Sequence, residues 1–336
     1  MRYHITHRAR SGWAATLLLV TAPIYAHDVT PFYTADQNPF IQIFGLPYLE
    51  TDAPLAQGGQ RVRVALDITN SIILGANHVE SIEIDGETYR TTLVYRYGLG
   101  RGRELGFDLP YVSHEDGAFD HFIDDWHDTF GLSGRWREGR AYYLLNYSYQ
   151  RDGVQHNYVT ERRRGIGDMR LVGGLPLYRS EDDAARRGYL RAILKLPTGA
   201  AEDLLGSGAA DAALSVSASD SGIFQAWHVT LFGAGGILWL GNGDVLPELQ
   251  RSIVGFGSFG IGWRALSRLD LKLQVDMHSS FYRSELGALG ASGIQLITGG
   301  SLSFANGLYF DLGVTENLTT DTTPDVVFNL ALRKTF

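Results

Sequence analysis

The sequence predicts an all-β fold, a transmembrane antiparallel up-and-down β-barrel of about twelve strands with a short external helix in one long loop. Three observations predict it. Apolar and polar residues alternate with period two in segment after segment from Arg61 to Phe336, so each strand has one apolar and one polar face. The mean hydropathy is −0.09, and the 40 glycines and 12% aromatic residues suit many turns and two interfacial girdles. The intervals between strands alternate between short and long, which suits tight turns at one rim and loops at the other. A helical membrane protein is excluded, because no run approaches the roughly 18 apolar residues a spanning helix needs.

Residues 1–26 read as a signal peptide. Arg2, Arg8 and Arg10 form a basic start, Ala14 to Ala22 is an apolar run too short to span, and Ile24-Tyr25-Ala26 offers a cleavage site. There is no cysteine, so no lipoprotein anchor and no disulfide framework is available. The formal charge is −8, and losing a leader with three arginines and no acid makes the chain more acidic still, which argues against nucleic acid as a partner. Residues 27–60 hold Pro31, Pro39, Pro47 and Pro54 and no sustained alternation. They are expected as a periplasmic extension or a plug in the barrel mouth.

The barrel is expected over residues 61–336. In the first three strands Val62, Val64, Leu66 and Ile68 oppose Arg61, Arg63, Asp67 and Thr69; Tyr89, Leu93, Tyr95 and Tyr97 oppose Arg90, Thr92 and Arg96; Leu105, Phe107 and Leu109 oppose Glu104 and Asp108. A tight turn at Gly98 to Gly102, taken as symmetric about Gly100, would set Arg96 against Glu104. Residues 113–165 then form a long external loop. Phe119, Phe122, Ile123, Trp126 and Phe130 fall at helical spacing, and a hairpin from about Ala141 to Val159 follows. His121, Asp124, Asp125 and Asp128 lie within two helical turns as candidate ligands of a divalent cation, or as a solvated helix face. Arg162, Arg163 and Arg164 in the same loop are placed to meet lipopolysaccharide phosphates.

Alternation resumes at Asp168 and Arg170, continues through Arg191 and Lys195, and then through Asp211, Ser215 and Ser217. Trp227 and Trp239 bracket a seventh strand, a glycine-rich eighth runs from about Ile253 to Arg264, and a ninth opposes Leu269, Leu271, Leu273, Val275 and Met277 to Asp270, Lys272, Gln274, Asp276, His278 and Ser280. A tenth strand ends at Phe304, Asn306-Gly307 opens the eleventh, and residues 325–336 make twelve. The last strand, with Val326, Phe328, Leu330, Leu332 and a terminal Phe336 on one face, resembles the C-terminal strand of Gram-negative outer-membrane proteins. That resemblance implies the bacterial outer membrane as location and the barrel assembly machinery as a partner. Counting back from a periplasmic terminus puts Gly98 to Gly102, Asp220 to Gln225, Ala265 to Arg268 and Ala305 to Gly307 inside, and residues 113–165, 198–209, 241–251 and 282–293 outside.

Three stretches carry a wider likeness: Q-N-P-F-I-Q-I-F-G-L-P from Gln37, F-D-H-F-I-D-D-W-H-D-T-F-G-L from Phe119, and G-I-G-D-M-R-L from Gly165 with L-K-L-P-T-G from Leu194. On them the chain resembles an uncharacterised proteobacterial family of outer-membrane β-barrels known as a domain of unknown function. It is distantly similar to the barrels of the meta-pathway of phenol degradation. The resemblance implies architecture and brings no activity with it.

The inward faces supply the candidate chemistry. Arg61, Arg63, Arg90, Arg96, Arg170, Arg191, Lys195, Lys272 and Arg333 stand against Asp67, Glu104, Asp108, Asp168, Asp211, Asp270, Asp276 and Asp311. Such a lumen either lines an aqueous path for a small solute or closes on its own ion pairs as a plugged structural barrel. An alternative is a lipid hydrolase, since Asp276, His278 and Ser280 follow at period two and resemble the base and nucleophile of outer-membrane lipid hydrolases, although the parity turns them away from lipid. The glycine-rich P-T-G-A-A-E-D-L-L-G-S-G lacks the phosphate-loop lysine and reads as an external loop, and no cofactor is expected.

Overall fold

The computed structural model describes residues 29–117, 143–179, 186–318, 322–324 and 326–336. Its strands are β1 (Gln60–Ala76), β2 (Glu80–Gly100), β3 (Arg103–Glu115), β4 (Asn146–Arg151), β5 (Val154–Val159), β6 (Arg163–Ile166), β7 (Arg170–Arg179), β8 (Arg186–Lys195), β9 (Asp211–Phe224), β10 (Val229–Trp239), β11 (Ile253–Leu266), β12 (Leu269–His278), β13 (Gly293–Ser303), β14 (Leu308–Asn317) and β15 (Val326–Thr335). All pairings are antiparallel. Each wall strand pairs with the next in the chain, β3 pairs with β7, and β15 returns to β1, closing a barrel of twelve wall positions. The short β6 shares the β7 position, since both pair with β3 on either side of Gly167-Asp168-Met169. The β4–β5 hairpin lies outside the ring, carried on the far end of β2.

Closure leaves no edge strand among the twelve wall positions, so the wall backbone is paired within the ring, a requirement for crossing lipid with strands. The two faces divide as their sequence predicts. Val64, Leu93, Leu105, Leu171, Leu194, Leu214, Leu273, Leu312 and Leu332 are exposed on the outer wall, while Arg63, Arg96, Glu104, Arg191, Lys195 and Lys272 are buried within. Trp227, Trp263, Phe304 and Phe336 remain exposed at the rim where both barrel termini lie, as an interfacial girdle does. Most loops sort by side: the short turns Arg101-Gly102, Ser267-Arg268 and Ala305–Gly307 close the inner rim, and residues 196–210, 240–252 and 279–292 stand at the outer one, where β1 and β2 are nonetheless joined by a short turn, residues 77–79.

The β2–β3 register differs from the expectation. Gly98 faces Glu104 and Arg96 faces Gly106, because β2 runs to Gly100 and the turn is Arg101-Gly102, with a bulge between Gly98 and Gly100. Gly100, Arg101 and Gly102 take φ of 84°, 53° and 74°, conformations that favour glycine at two of the three positions. The turn centre therefore lies beyond Gly100, and Arg96 does not meet Glu104. The predicted helix around Phe119 to Phe130 lies outside the described residues.

The interior is filled by residues 29–59. An ascending arm enters at the inner rim, where Val29 packs against Gly262, and a turn from Asn38 to Phe44 sits near the outer rim, closed by Ile41 and Gln42 N–H groups donating to the Asn38 carbonyl at 2.8 Å. A descending arm returns to Gly58, whose N–H donates to the Gly98 carbonyl at 2.9 Å. Above the turn lies the apolar core. Phe40, Ile41, Ile43, Phe44 and Leu46 pack with Leu204, Leu240, Leu246, Phe281, Tyr282 and Leu289 of the outer loops and with Tyr147 and Tyr149 of β4. Barrel walls need no such core, but a loop assembly over a polar lumen does.

Candidate functional site

The site is the seam between residues 29–59 and the charged wall. Wall cations capture the segment partly through its carbonyl oxygens, which are free because an irregular segment forms no ladder. Arg90 donates to the Gln42 carbonyl at 3.2 Å, Lys195 to that of Ile43 at 3.1 Å, Arg170 to that of Leu46 at 2.9 Å and Arg191 to that of Glu50 at 2.6 Å. The segment also brings three carboxylates. Asp36 meets His278 at 2.8 Å, Glu50 meets Arg96 at 2.6 Å, and Asp52 stands among Arg63 at 3.1 Å, Arg61 at 3.6 Å and Arg333. Aromatic rings complete the bed: Arg63 lies over Tyr33 at 4.4 Å, Arg170 over Tyr48 at 4.0 Å and Lys272 over Phe32 at 4.0 Å. Asp52 precedes the first strand. Burial by itself would raise its carboxyl, but Arg61, Arg63 and Arg333 hold it well below the usual carboxylate range.

The remaining predicted luminal residues pair along the wall. Asp108 bridges Arg96 at 2.8 Å and Arg170 at 3.4 Å, Glu104 takes Arg191 at 2.9 Å, and Lys195 meets Asp168 at 2.6 Å and Asp211 at 3.0 Å. Lys272 meets Asp311 at 2.8 Å, Arg264 approaches Asp270 at 3.4 Å, and Asp67 and Asp276 accept from the amides of Asn329 and Gln274 at 2.6 and 2.9 Å. Two cavities lined by the segment and the wall are small. Cavities of about 20 Å³ beside Asp36, Ser258 and His278 and about 10 Å³ beside Glu50, Ser217 and Phe256 are each the size of a water.

Asp276, His278 and Ser280 share the inward face without forming a relay. Nε2 of His278 faces Asp36 at 2.8 Å and its Nδ1 faces the Ser279 carbonyl at 3.0 Å. Ser280 donates its hydroxyl to the Tyr282 carbonyl at 2.6 Å and accepts from Arg251 at 3.1 Å. No serine–histidine hydrogen bond joins these two side chains. Arg162 and Arg163 stand on the outer loop among Glu115, Asp116, Glu161 and Asp203. His121, Asp124, Asp125 and Asp128 lie outside the described residues. Sequence reasoning passed over Asp36, Glu50 and Asp52, and a signal was present: residues 29–59 carry these three acids and no lysine, arginine or histidine, opposite a wall rich in arginine.

A closed antiparallel barrel with an apolar belt, an aromatic rim and a charged interior is an outer-membrane β-barrel, and the protein lies in the bacterial outer membrane. The chain belongs to the family described as a protein of unknown function, DUF3187, whose model matches residues 14–336. No curated protein matches it. Among solved structures it is similar to the COG4313 outer membrane channel from Pseudomonas putida F1, at 12% identity and a TM-score of 0.56, over 84% of this chain and 97% of that one. It also matches the Pseudomonas putida toluene transporter TodX at 9% identity and a TM-score of 0.38, over 91% of this chain and 94% of that one.

Proposed function

We propose that the barrel passes a small solute across the outer membrane and that residues 29–59 are its plug. The observation that carries this reading is the polarity of the seam. A barrel filled only for stability would gain more from apolar packing, because buried ion pairs repay their desolvation poorly. Below its apolar turn the segment rests instead on arginine, lysine and carboxylate side chains, which water can resolvate once the segment moves. The similar solved barrel from Pseudomonas putida F1, an outer membrane channel, supports the same reading. Assembly through the strand ending at Phe336, and contact of Arg162 to Arg164 with lipopolysaccharide, belong to it as well.

Single-channel recording in planar bilayers tests the reading, with the refolded mature chain and a form lacking residues 29–59. Closed traces from the first and discrete steps from the second are expected. Silence from both would leave a structural barrel.

A further inference from the structure

The inner third of the wall places like charges opposite each other. Arg63 of β1 is the direct cross-strand partner of Arg333 on β15, and Arg61 is that of Arg96 on β2. Facing charges of one sign are destabilising in a sheet, so this wall needs an anion. Neither β1 nor β15 supplies one at the spot: their nearest other inward residues are Ala65, Asp67, Asn329 and Ala331, Asp67 is engaged by Thr34 and Asn329, and Asp311 of β14 is taken by Lys272 at 2.8 Å. Of Arg61, Arg63 and Arg333, Glu104 approaches Arg61 alone, at 3.9 Å, and its nearer partner is Arg191 at 2.9 Å. The counterion common to Arg61, Arg63 and Arg333 is Asp52, which belongs to the segment and not to the wall.

We infer that this arginine cluster is a binding site for small organic carboxylates, and that Asp52 occupies it as a stand-in while the barrel is closed. As a substrate site it rests on the transport reading above; as an anion site it does not. Two further observations support it. Nε and Nη1 of Arg61 and of Arg63, and Nε of Arg333, are buried with no hydrogen-bond acceptor among the described residues. The cluster therefore offers more donors than the two oxygens of Asp52 use, in the planar forks that suit carboxylates. The forks are also held in place, Arg63 over the Tyr33 ring at 4.4 Å and Arg333 over the Tyr309 ring at 4.3 Å. Removal of residues 29–59 takes three negative charges and no positive one from the lumen, so the opened path favours anions.

The test uses the full-length chain refolded in detergent. Asp52→Ala is unfolded by heat while sodium acetate is titrated, with sodium chloride at equal ionic strength as reference and sodium phosphate as a second anion. Asp52→Ala should unfold at a lower temperature than the parent in chloride, and acetate should recover most of the difference saturably while leaving the parent unchanged. Adding Arg333→Met should abolish the recovery. Acetate acting no better than chloride overturns the site, and phosphate acting as well as acetate overturns the carboxylate assignment. Should Asp52→Ala not refold in chloride, refolding yield becomes the readout, and equal failure in acetate overturns the site. Because binding is read without transport, acetate recovery alongside silent bilayers would preserve the anion site and sink only the transport reading.

Discussion

Lys195 ties three parts of the molecule together, and its removal gives the sharpest test of the seam. Its ammonium contacts Asp168 at 2.6 Å, Asp211 at 3.0 Å, the Ile43 carbonyl of the inner segment at 3.1 Å, and Ser207 of an outer loop. Lys195→Met preserves most of the stem volume and leaves two carboxylates, with side chains 3% and 0% exposed, without their cation. Removing one partner of a buried pair costs about 3–5 kcal/mol. Each carboxylate retains two backbone donors, Gly199 and Ser207 for Asp168 and Gly45 and Gly241 for Asp211, all near 3 Å. The lower end, about 3 kcal/mol, is therefore expected. Denaturant unfolding of the barrel in lipid vesicles measures it. Adding Asp168→Asn removes one of the two uncompensated charges and should restore about 1 kcal/mol, since contacting residues couple at that scale. A Lys195→Met barrel within about 1 kcal/mol of the parent would refute the claim that these contacts hold segment, wall and loop together.

Three more outcomes follow from the same structure. With no native cysteine in the chain, Gln155→Cys and Asn242→Cys should react with an impermeant thiol reagent on intact cells, and Ala305→Cys only after the outer membrane is opened; the reverse pattern overturns the orientation. Neither the parent nor His278→Ala should hydrolyse lipid, because Ser280 donates to the Tyr282 carbonyl and His278 is engaged by Asp36 and the Ser279 carbonyl; a parent activity lost in the variant would reinstate the hydrolase. The stability difference between the parent and Asp52→Asn should stay level from pH 7.5 to about 5. The folded carboxyl is depressed, so its contribution is complete above the unfolded value near 3.9 and fades only as pH falls through the folded one. A difference already gone at pH 5.5 would mean that Asp52 is not held by its arginines.

The alternation in β1, β12 and β15 was enough to determine the fold class and the face each of their residues takes, because strand geometry turns parity directly into inside and outside. Arg63, Lys195 and Lys272 were legible as luminal on that ground alone. Register at the β2–β3 turn was not, since it depends on where a bulge falls, and three glycines at alternate positions allow more than one centre. Partners were least legible. Arg63 and Asp52, or His278 and Asp36, meet across 11 and 242 residues of chain, and only a barrel that closes around its own irregular N-terminal segment brings them together. Period two says which way a side chain points; what it finds there is decided by the chain that fills the lumen, and that segment has no period from which to read it.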